Sequence, residues 1–284
     1  MARTNSLSII LQTDQTAKDK LAEEYGKVIE NIATRTLSSV FANKDLSGDP
    51  TAGSVEAKRF SNVTGATYGT ARGHGYADKI KAKPVVIPID DNKEYIEEVE
   101  EKDLRMYGVN GLIERRTANH EMQIQIDDDI AFFTEMYATG TKHTASGADD
   151  GAKLENLIEA VETTKNDFVN GVPRQLIKVV LTPAEYGKIR NYLDATTNNA
   201  NVDTGVGEFG LFHGVEVFSS VNLPTGLDKV AFVDGAVAQP KTASIYNPTK
   251  IDLSDATAFG IFIYKGTKAV MPDLIQYEGT EYSV

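Results

Sequence analysis

Leu211-Phe-His-Gly-Val-Glu-Val-Phe-Ser-Ser-Val-Asn-Leu-Pro224 is the stretch whose reading decides the fold. After Gly214 the residues 215–219 read as a short strand, and Pro224 punctuates its end, because proline cannot donate to a continuing ladder. Downstream, Val230-Ala-Phe-Val and Phe259-Gly-Ile-Phe-Ile-Tyr are further short apolar runs, so strands are expected at 215–219, 230–233, 243–246 and 259–264. Upstream, Leu176-Ile-Lys-Val-Val-Leu reads as a buried strand. It meets Thr182-Pro183, where proline suits the first turn of a helix reaching about Leu193. The polar segment Ala195–Gly210 between them is a surface loop, and Leu154, Leu157, Ile158, Val161 and Phe168 mark a helix before the buried strand.

Working back toward the start, residues 108–139 carry the longest helical signal. Met122, Ile126, Ile130, Phe133 and Tyr137 recur at spacings of four and three, and the opposite face holds Glu114, Arg115, Arg116, Asp127 and Asp128. Some thirty residues at 1.5 Å each span about 45 Å, a length that suits a spine better than a compact enzyme. Before it, Ser54 to Asp91 reads as two extended arms, Val55-Glu-Ala-Lys-Arg-Phe60 and Lys79 to Ile89, joined by a tip containing Gly65, Gly69, Gly73 and Gly75. This hairpin has too few large apolar residues to bury both faces, and an isolated hairpin is marginal in water. It is expected to lean on something outside its own chain. Residues 16–42 read as a helix with Leu21, Tyr25, Val28, Ile29, Ile32 and Leu37 near one face.

Composition sets limits. The chain has 284 residues, 29 Lys and Arg against 41 Asp and Glu, a net charge of −12 and no cysteine. That charge opposes the basic footprint of a free-standing nucleic-acid binder. The absence of cysteine excludes disulfides, thiolate metal sites and thiol nucleophiles. No run approaches the ~20 apolar residues needed to span a bilayer, and Leu7–Leu11 is too short for a secretory signal.

Signals for chemistry are weak. Gly205-Val-Gly-Glu-Phe-Gly210 has the form of a dinucleotide fingerprint, but it follows a polar loop and precedes a strand, the reverse of what phosphate binding needs. Asn43, Asp45 and Ser47 copy the front of a calcium loop whose twelfth position, Ser54, is not the required Glu, so a helix-ending turn is expected. Asp127-Asp-Asp129 lies on a helix, where adjacent side chains diverge by about 100° and cannot share one ion. A solvated face, or pairing across a subunit contact, is expected instead. His74, His120, His143 and His213 form no local zinc motif. No residue is nominated as catalytic, cofactor-binding or metal-binding. Lys58, Arg59, Arg72, Lys79, Lys81 and Lys83 make the hairpin basic, whereas Asp90, Asp91, Glu94, Glu97, Glu98, Glu100, Glu101 and Asp103 make the next segment acidic. One subunit's hairpin lying across its neighbour's acidic surface would use that complementarity to set register.

Arm, hairpin, strand, spine, α/β unit and returning strands follow in an order that resembles the tailed-phage major capsid proteins, with their α+β fold of the Hong Kong 97 type. The most specific part runs from Lys178 to Leu223: buried strand, Thr-Pro, helix, long loop, then Gly210-x-x-x-Gly214-Val-x-Val ahead of Ser219-x-x-x-Leu223-Pro. The Val85-Val-Ile-Pro-Ile-Asp-Asp91 segment ahead of the acidic run and spine is similar to the family too. The resemblance implies an N-terminal arm over 1–49, an extended loop over 50–91, a peripheral domain with the spine over 92–145, an axial domain over 146–240 and a return to the peripheral domain over 241–284. It implies a non-enzymatic subunit that self-assembles as hexamers and pentamers into an icosahedral virion shell, built in a bacterial host's cytoplasm. The shell would enclose double-stranded DNA without sequence-specific binding. A portal is its expected partner, and so is a separate scaffolding protein, because the extended loop begins near residue 50 and leaves no room for the long cleavable segment of the family prototype. Arg59, Lys79 and Lys81 are the expected inter-subunit contacts; the prototype's Lys–Asn cross-link is not carried over. An encapsulin-type compartment with the same fold, enclosing enzymes, is the alternative, and a soluble nucleotide-binding enzyme using Gly205–Gly210 is a third reading.

Overall fold

The structure is a computed structural model that describes residues 15–63, 65, 67–68, 81–100, 109–144, 146–195, 210–254 and 256–282. Helix α1 (Gln15–Arg35) stops at Thr36, whose backbone is extended, and α2 (Leu37–Phe41) resumes at once. The sequence predicts one helix over 16–42. The break arises where the Ser38 amide donates to the Asp129 carboxylate (2.9 Å), a bond to another element that a continuous helix would deny it. Strands β1 (Leu46–Ser47), β2 (Ser54–Phe60) and β3 (Ala82–Pro88) then pair antiparallel as a hairpin with one short extra strand.

Strand β4 (Asp91–Val99) leads to the long helix α3 (Val109–Thr139), whose 31 residues match the expected spine. Next come β5 (Thr141–Lys142), α4 (Asp150–Glu162), β6 (Ile177–Leu181) and α5 (Pro183–Ala195). Helix α4 ends six residues before Phe168. Thr163 and Thr164 turn their hydroxyls back onto Glu159 and Ala160 carbonyls, and the Asn166 side chain accepts from the Phe168 and Val169 amides, building a turn. Phe168 therefore sits in a loop. Strands β7 (Leu211–Phe212) and β8 (Val215–Ser219) join through His213 and Gly214, both at positive φ (48° and 89°), as a two-residue hairpin with right-handed twist requires. The chain closes with β9 (Leu227–Val233), β10 (Val237–Ala238), β11 (Lys241–Lys250), β12 (Thr257–Lys265), β13 (Lys268–Ala269) and β14 (Ile275–Gly279). The last of these carries no strand expectation from sequence.

Among the described residues, two larger sheets flank the spine. One has the order β5-β14-β9-β6-β8-β7, the other β11-β12-β4. Strand β6 buries both faces. Val179 and Leu181 pack with Leu154, Leu157, Ile158 and Val161 of α4 and Ile189 and Leu193 of α5. Val180 turns the other way, to Phe132, Phe133, Met136 and Tyr137 on the C-terminal half of α3. The N-terminal half of α3 lies over the second sheet, where Ile124 meets Phe259, Ile261, Ile263 and Val99 together with Tyr25 and Val28 of α1. A single rigid helix thus holds two sheets and the N-terminal helix in fixed relation.

The face that α3 buries in its first half differs from the expected apolar stripe. Thr117, His120, Ile124 and Asp128 point inward, while Met122 and Ile130 are 50% and 41% exposed. Polar groups win the buried face because partners wait for them there. His120 Nδ1 lies 3.0 Å from the Tyr25 hydroxyl, and both Asp128 oxygens accept from lysines. Phe133 and Tyr137 are buried as expected.

Candidate assembly surfaces

The three carboxylates of Asp127-Asp-Asp129 diverge around α3, and each docks a different part of the chain. Asp127 accepts from the Tyr95 hydroxyl and from Lys93 Nζ (3.0 Å) on β4. Burial works to raise its carboxyl, but those hydrogen bonds outweigh it and hold the group below its ordinary value. Asp128 is fully buried; its Oδ1 accepts from Lys265 Nζ (2.8 Å) and its Oδ2 from Lys241 Nζ (2.9 Å), which also donates to Ser39 Oγ. Asp129 accepts from the Ser38 amide and, at 3.2 Å, from the Asn222 side chain beyond β8. Burial, aided by the charge of Asp128, pushes the Asp129 carboxyl up against the pull of those donors.

This corrects the expectation of a solvated or inter-subunit triplet. The divergence is the one that helix geometry demands, but Asp128 and Asp129 are buried and paired inside the chain. They join sheet, arm and α/β unit to the spine. The signal that could have exposed this role is the pair Lys241 and Lys265 flanking the apolar strands β11 and β12, where a lysine needs an acid.

The acidic run divides in the same way. Glu97 is bound by Arg116 and lies 3.3 Å from His120 Nε2. Burial, the largest influence on His120, lowers it against the pull of Glu97, so the imidazole is neutral at neutral pH. Asp91 stands 3.6 Å from Lys265. Glu94 and Glu98 face the opposite way and are exposed, directly across from Phe262 and Ala258, with Ile96 between them and Tyr264 beside them. The outer face of this sheet is therefore acidic and partly apolar.

The hairpin presents the complementary character. Val55, Ala57 and Ile87 turn inward, Ala57 and Ile87 onto Ala238 and Val270. On the outer face Glu56 pairs across with Val86, Lys58 with Pro84 and Phe60 with Ala82. Phe60 is 56% and Val86 52% exposed with Lys58 exposed between them, while Lys83, across from Arg59, is exposed on the other face. Of the expected inter-subunit residues, Lys81 lies at the entry to β3, and Lys79 lies outside the described residues together with Arg72. Arg59 turns inward and makes a bidentate pair with Asp273 of its own chain. Sequence reading missed that partner.

The remaining motifs resolve locally. Asn43 accepts from the Asp45 amide and donates to the Gly235 carbonyl, closing the turn after α2. His143 pairs with Asn156 and His213 with Glu155. His74, and all of Gly205–Gly210 except Gly210, lie outside the described residues. Among the described residues no group of three or more acids or histidines is placed to hold a metal ion, and no helix is long and apolar enough to cross a membrane.

No known family's sequence profile matches the chain, and no curated protein matches it by sequence. Solved structures do match by shape. A chain from Mycobacterium phage Che8 aligns with a TM-score of 0.62 at 20% identity, covering 86% of this chain and 91% of that one. The capsid structure of the cyanophage P-SCSP1u gives 0.63 at 16% identity, covering 87% and 89%. The virus-like particle from Pyrococcus furiosus gives 0.56 at 13% identity, covering 92% and 96%. Over nearly its whole length the chain has the tailed-phage capsid fold that the order of its elements resembles.

Proposed function

We propose that this chain is the major capsid protein of a tailed phage or prophage, and that it works by self-assembly into a closed shell. The observation that carries the reading is the whole-chain match to capsid structures, with coverage near nine-tenths on both sides. Supporting it is a hairpin whose outer face leaves Phe60 and Val86 without cover in the lone subunit. Burying the exposed halves of these two side chains against a neighbour contributes about 2 kcal/mol. Repeated at every contact of a symmetric shell, small terms of that size sum to a durable particle.

In this reading hexamers and pentamers close into an icosahedral head around double-stranded DNA inside a bacterial host, with a portal and a separate scaffolding protein as partners. The division into arm (1–49), extended loop (50–91), peripheral domain (92–145), axial domain (146–240) and peripheral return (241–284) is part of the same proposal. One subunit's hairpin crosses the outer sheet face of the next, with Lys79 and Lys81 toward Glu94 and Glu98. No step calls for catalysis. A second reading, an encapsulin-type compartment enclosing proteins, is favoured by the match to the Pyrococcus furiosus particle, which covers 96% of that chain.

Negative-stain electron microscopy of the expressed protein, after sizing by light scattering, tests the proposal. Closed shells or rings of five and six support it, and particles purified with their contents distinguish DNA from enclosed protein. A 30.9 kDa monomer at every concentration, persisting when neighbouring genes are co-expressed, would overturn it.

A further inference from the structure

The hairpin is fastened to its own subunit at its base and again five residues farther along β2, about 17 Å away. The first is its base. There Gly266 approaches so closely that a Cβ at that position would lie 1.8 Å from the Pro88 carbonyl oxygen, and Lys268 Nζ donates to the Val86 carbonyl (2.9 Å). The second is at the distal end of β2. Arg59 Nη1 and Nη2 donate to the two oxygens of Asp273 at 2.5 and 2.8 Å, and its guanidinium lies 4.6 Å from the centre of the Phe168 ring. Asn166, which builds the turn that holds Phe168, also donates to Asp273, and the Asn62 amide donates to the Asp167 carbonyl (2.9 Å).

The Arg59 side chain is 11% exposed, whereas Lys58, Lys81 and Lys83, the other described cations of the hairpin, are exposed. Bidentate geometry, a stacked ring and partial burial make this a directional bond, unlike a surface ion pair. The base is packed as far as Ala57, and the second anchor fixes the part of the hairpin beyond it. Without that anchor, the distal end is free to swing.

We propose that Arg59 is a positioning residue for assembly: its clasp on Asp273, Asn166 and Phe168 fixes the direction in which the hairpin leaves the subunit, and that direction sets the curvature at which neighbouring subunits join. The inference rests on the shell reading for its second half only, because the clasp itself is a property of the single subunit. Arg59 in this role acts within its own chain, in contrast to the inter-subunit contact expected from sequence.

The test uses Arg59→Ala, Asp273→Asn and the double variant of the full chain, with two readouts. Hydrogen exchange on the unassembled subunit should show the amides of residues 54–60 and 82–88 exchanging about tenfold faster in each single variant. The double variant should exchange no faster than either, as two halves of one interaction require. Residues 177–181 should stay protected throughout, which certifies the fold. Electron micrographs should show particles whose diameters scatter more widely than the unaltered protein's. Unchanged hairpin exchange, or effects that add in the double variant, would overturn the clasp. A loosened hairpin with an unaltered diameter distribution would overturn its control of curvature. Failure of the unaltered protein to form shells under any condition would remove the assembly reading, while the exchange result still judges the clasp.

Discussion

Strand β6 and strand β2 are both short and both lie in antiparallel contact with a neighbour, but they meet different surroundings. Val179, Val180 and Leu181 are wholly buried, shared between α4 and α5 on one side and α3 on the other. On β2, Val55 is buried and Ala57 packs in a small cluster, whereas Phe60 stands more than half in solvent. Apolar burial drives folding in the first case; in the second apolar surface is left in solvent, where the proposed shell would cover it. The residues that keep the subunit folded and those proposed for assembly are thus largely separate sets, and substitutions can address one set at a time.

The largest effect belongs on the folding side, at the spine. Asp128→Asn removes the charge that balances Lys265, itself 1% exposed, and Lys241. Breaking a buried pair by removing one partner costs about 3–5 kcal/mol, since the remaining ammonium is left in a poor solvent. Urea denaturation followed by far-ultraviolet dichroism measures it. A loss below about 1 kcal/mol would mean that the two sheets do not depend on this junction.

The two faces of α3 offer a sharper contrast. Ile124→Ala empties a fully buried site and should cost about 2–4 kcal/mol. Met122→Ala, two residues away and half exposed, should change stability by less than about 1 kcal/mol. Equal losses would place the packed face where the apolar spacing alone predicts it.

That spacing shows how much the sequence could reveal. Strand β6, helix α5 and the extent of α3 are legible because their neighbours are apolar or because proline marks their start, and such signals are local. The packed face of α3 is not legible, since His120 and Asp128 become buried only through partners on α1, β4, β11 and β12. Strand β14 escapes notice because Ile275-Gln-Tyr-Glu-Gly is short and follows Pro272, and its pairing with β9 is a tertiary fact. Arg59 is readable as a hairpin cation, but its partner lies 214 residues away, beyond any pattern of spacing. Sequence period reports which residues are apolar; it is silent on which polar residues have partners.

A smaller effect follows from the neutral His120. Its native value lies below the ordinary 6.5, chiefly through burial, so the unfolded chain binds this proton more readily. Stability is therefore full above about pH 6.5 and falls as pH drops through the native value, by at most about 1.4 kcal/mol per pH unit from this group. His120→Gln should lower stability at pH 7.5, and flatten its change between pH 7 and 5. A slope that survives the substitution unchanged would assign it to other groups.

The smallest effect on the subunit is expected at the hairpin cations, and there the contrast between the two regions is most exposed to failure. Lys79→Glu with Lys81→Glu should alter the stability of the lone subunit by no more than about 0.5 kcal/mol, because Lys81 is exposed and surface charges contribute little to folding. Shell closure should nevertheless be impaired, and added salt should partly restore it by screening the new repulsion. Glu94→Lys with Glu98→Lys, made in the same chain, should restore it further, since the signs on hairpin and outer sheet face then oppose each other again. Normal particles from the hairpin variant alone would break the comparison, because charge on the hairpin would then matter neither to folding nor to joining. Impaired closure that the second pair fails to repair would keep the hairpin in the interface and remove Glu94 and Glu98 as its counterpart.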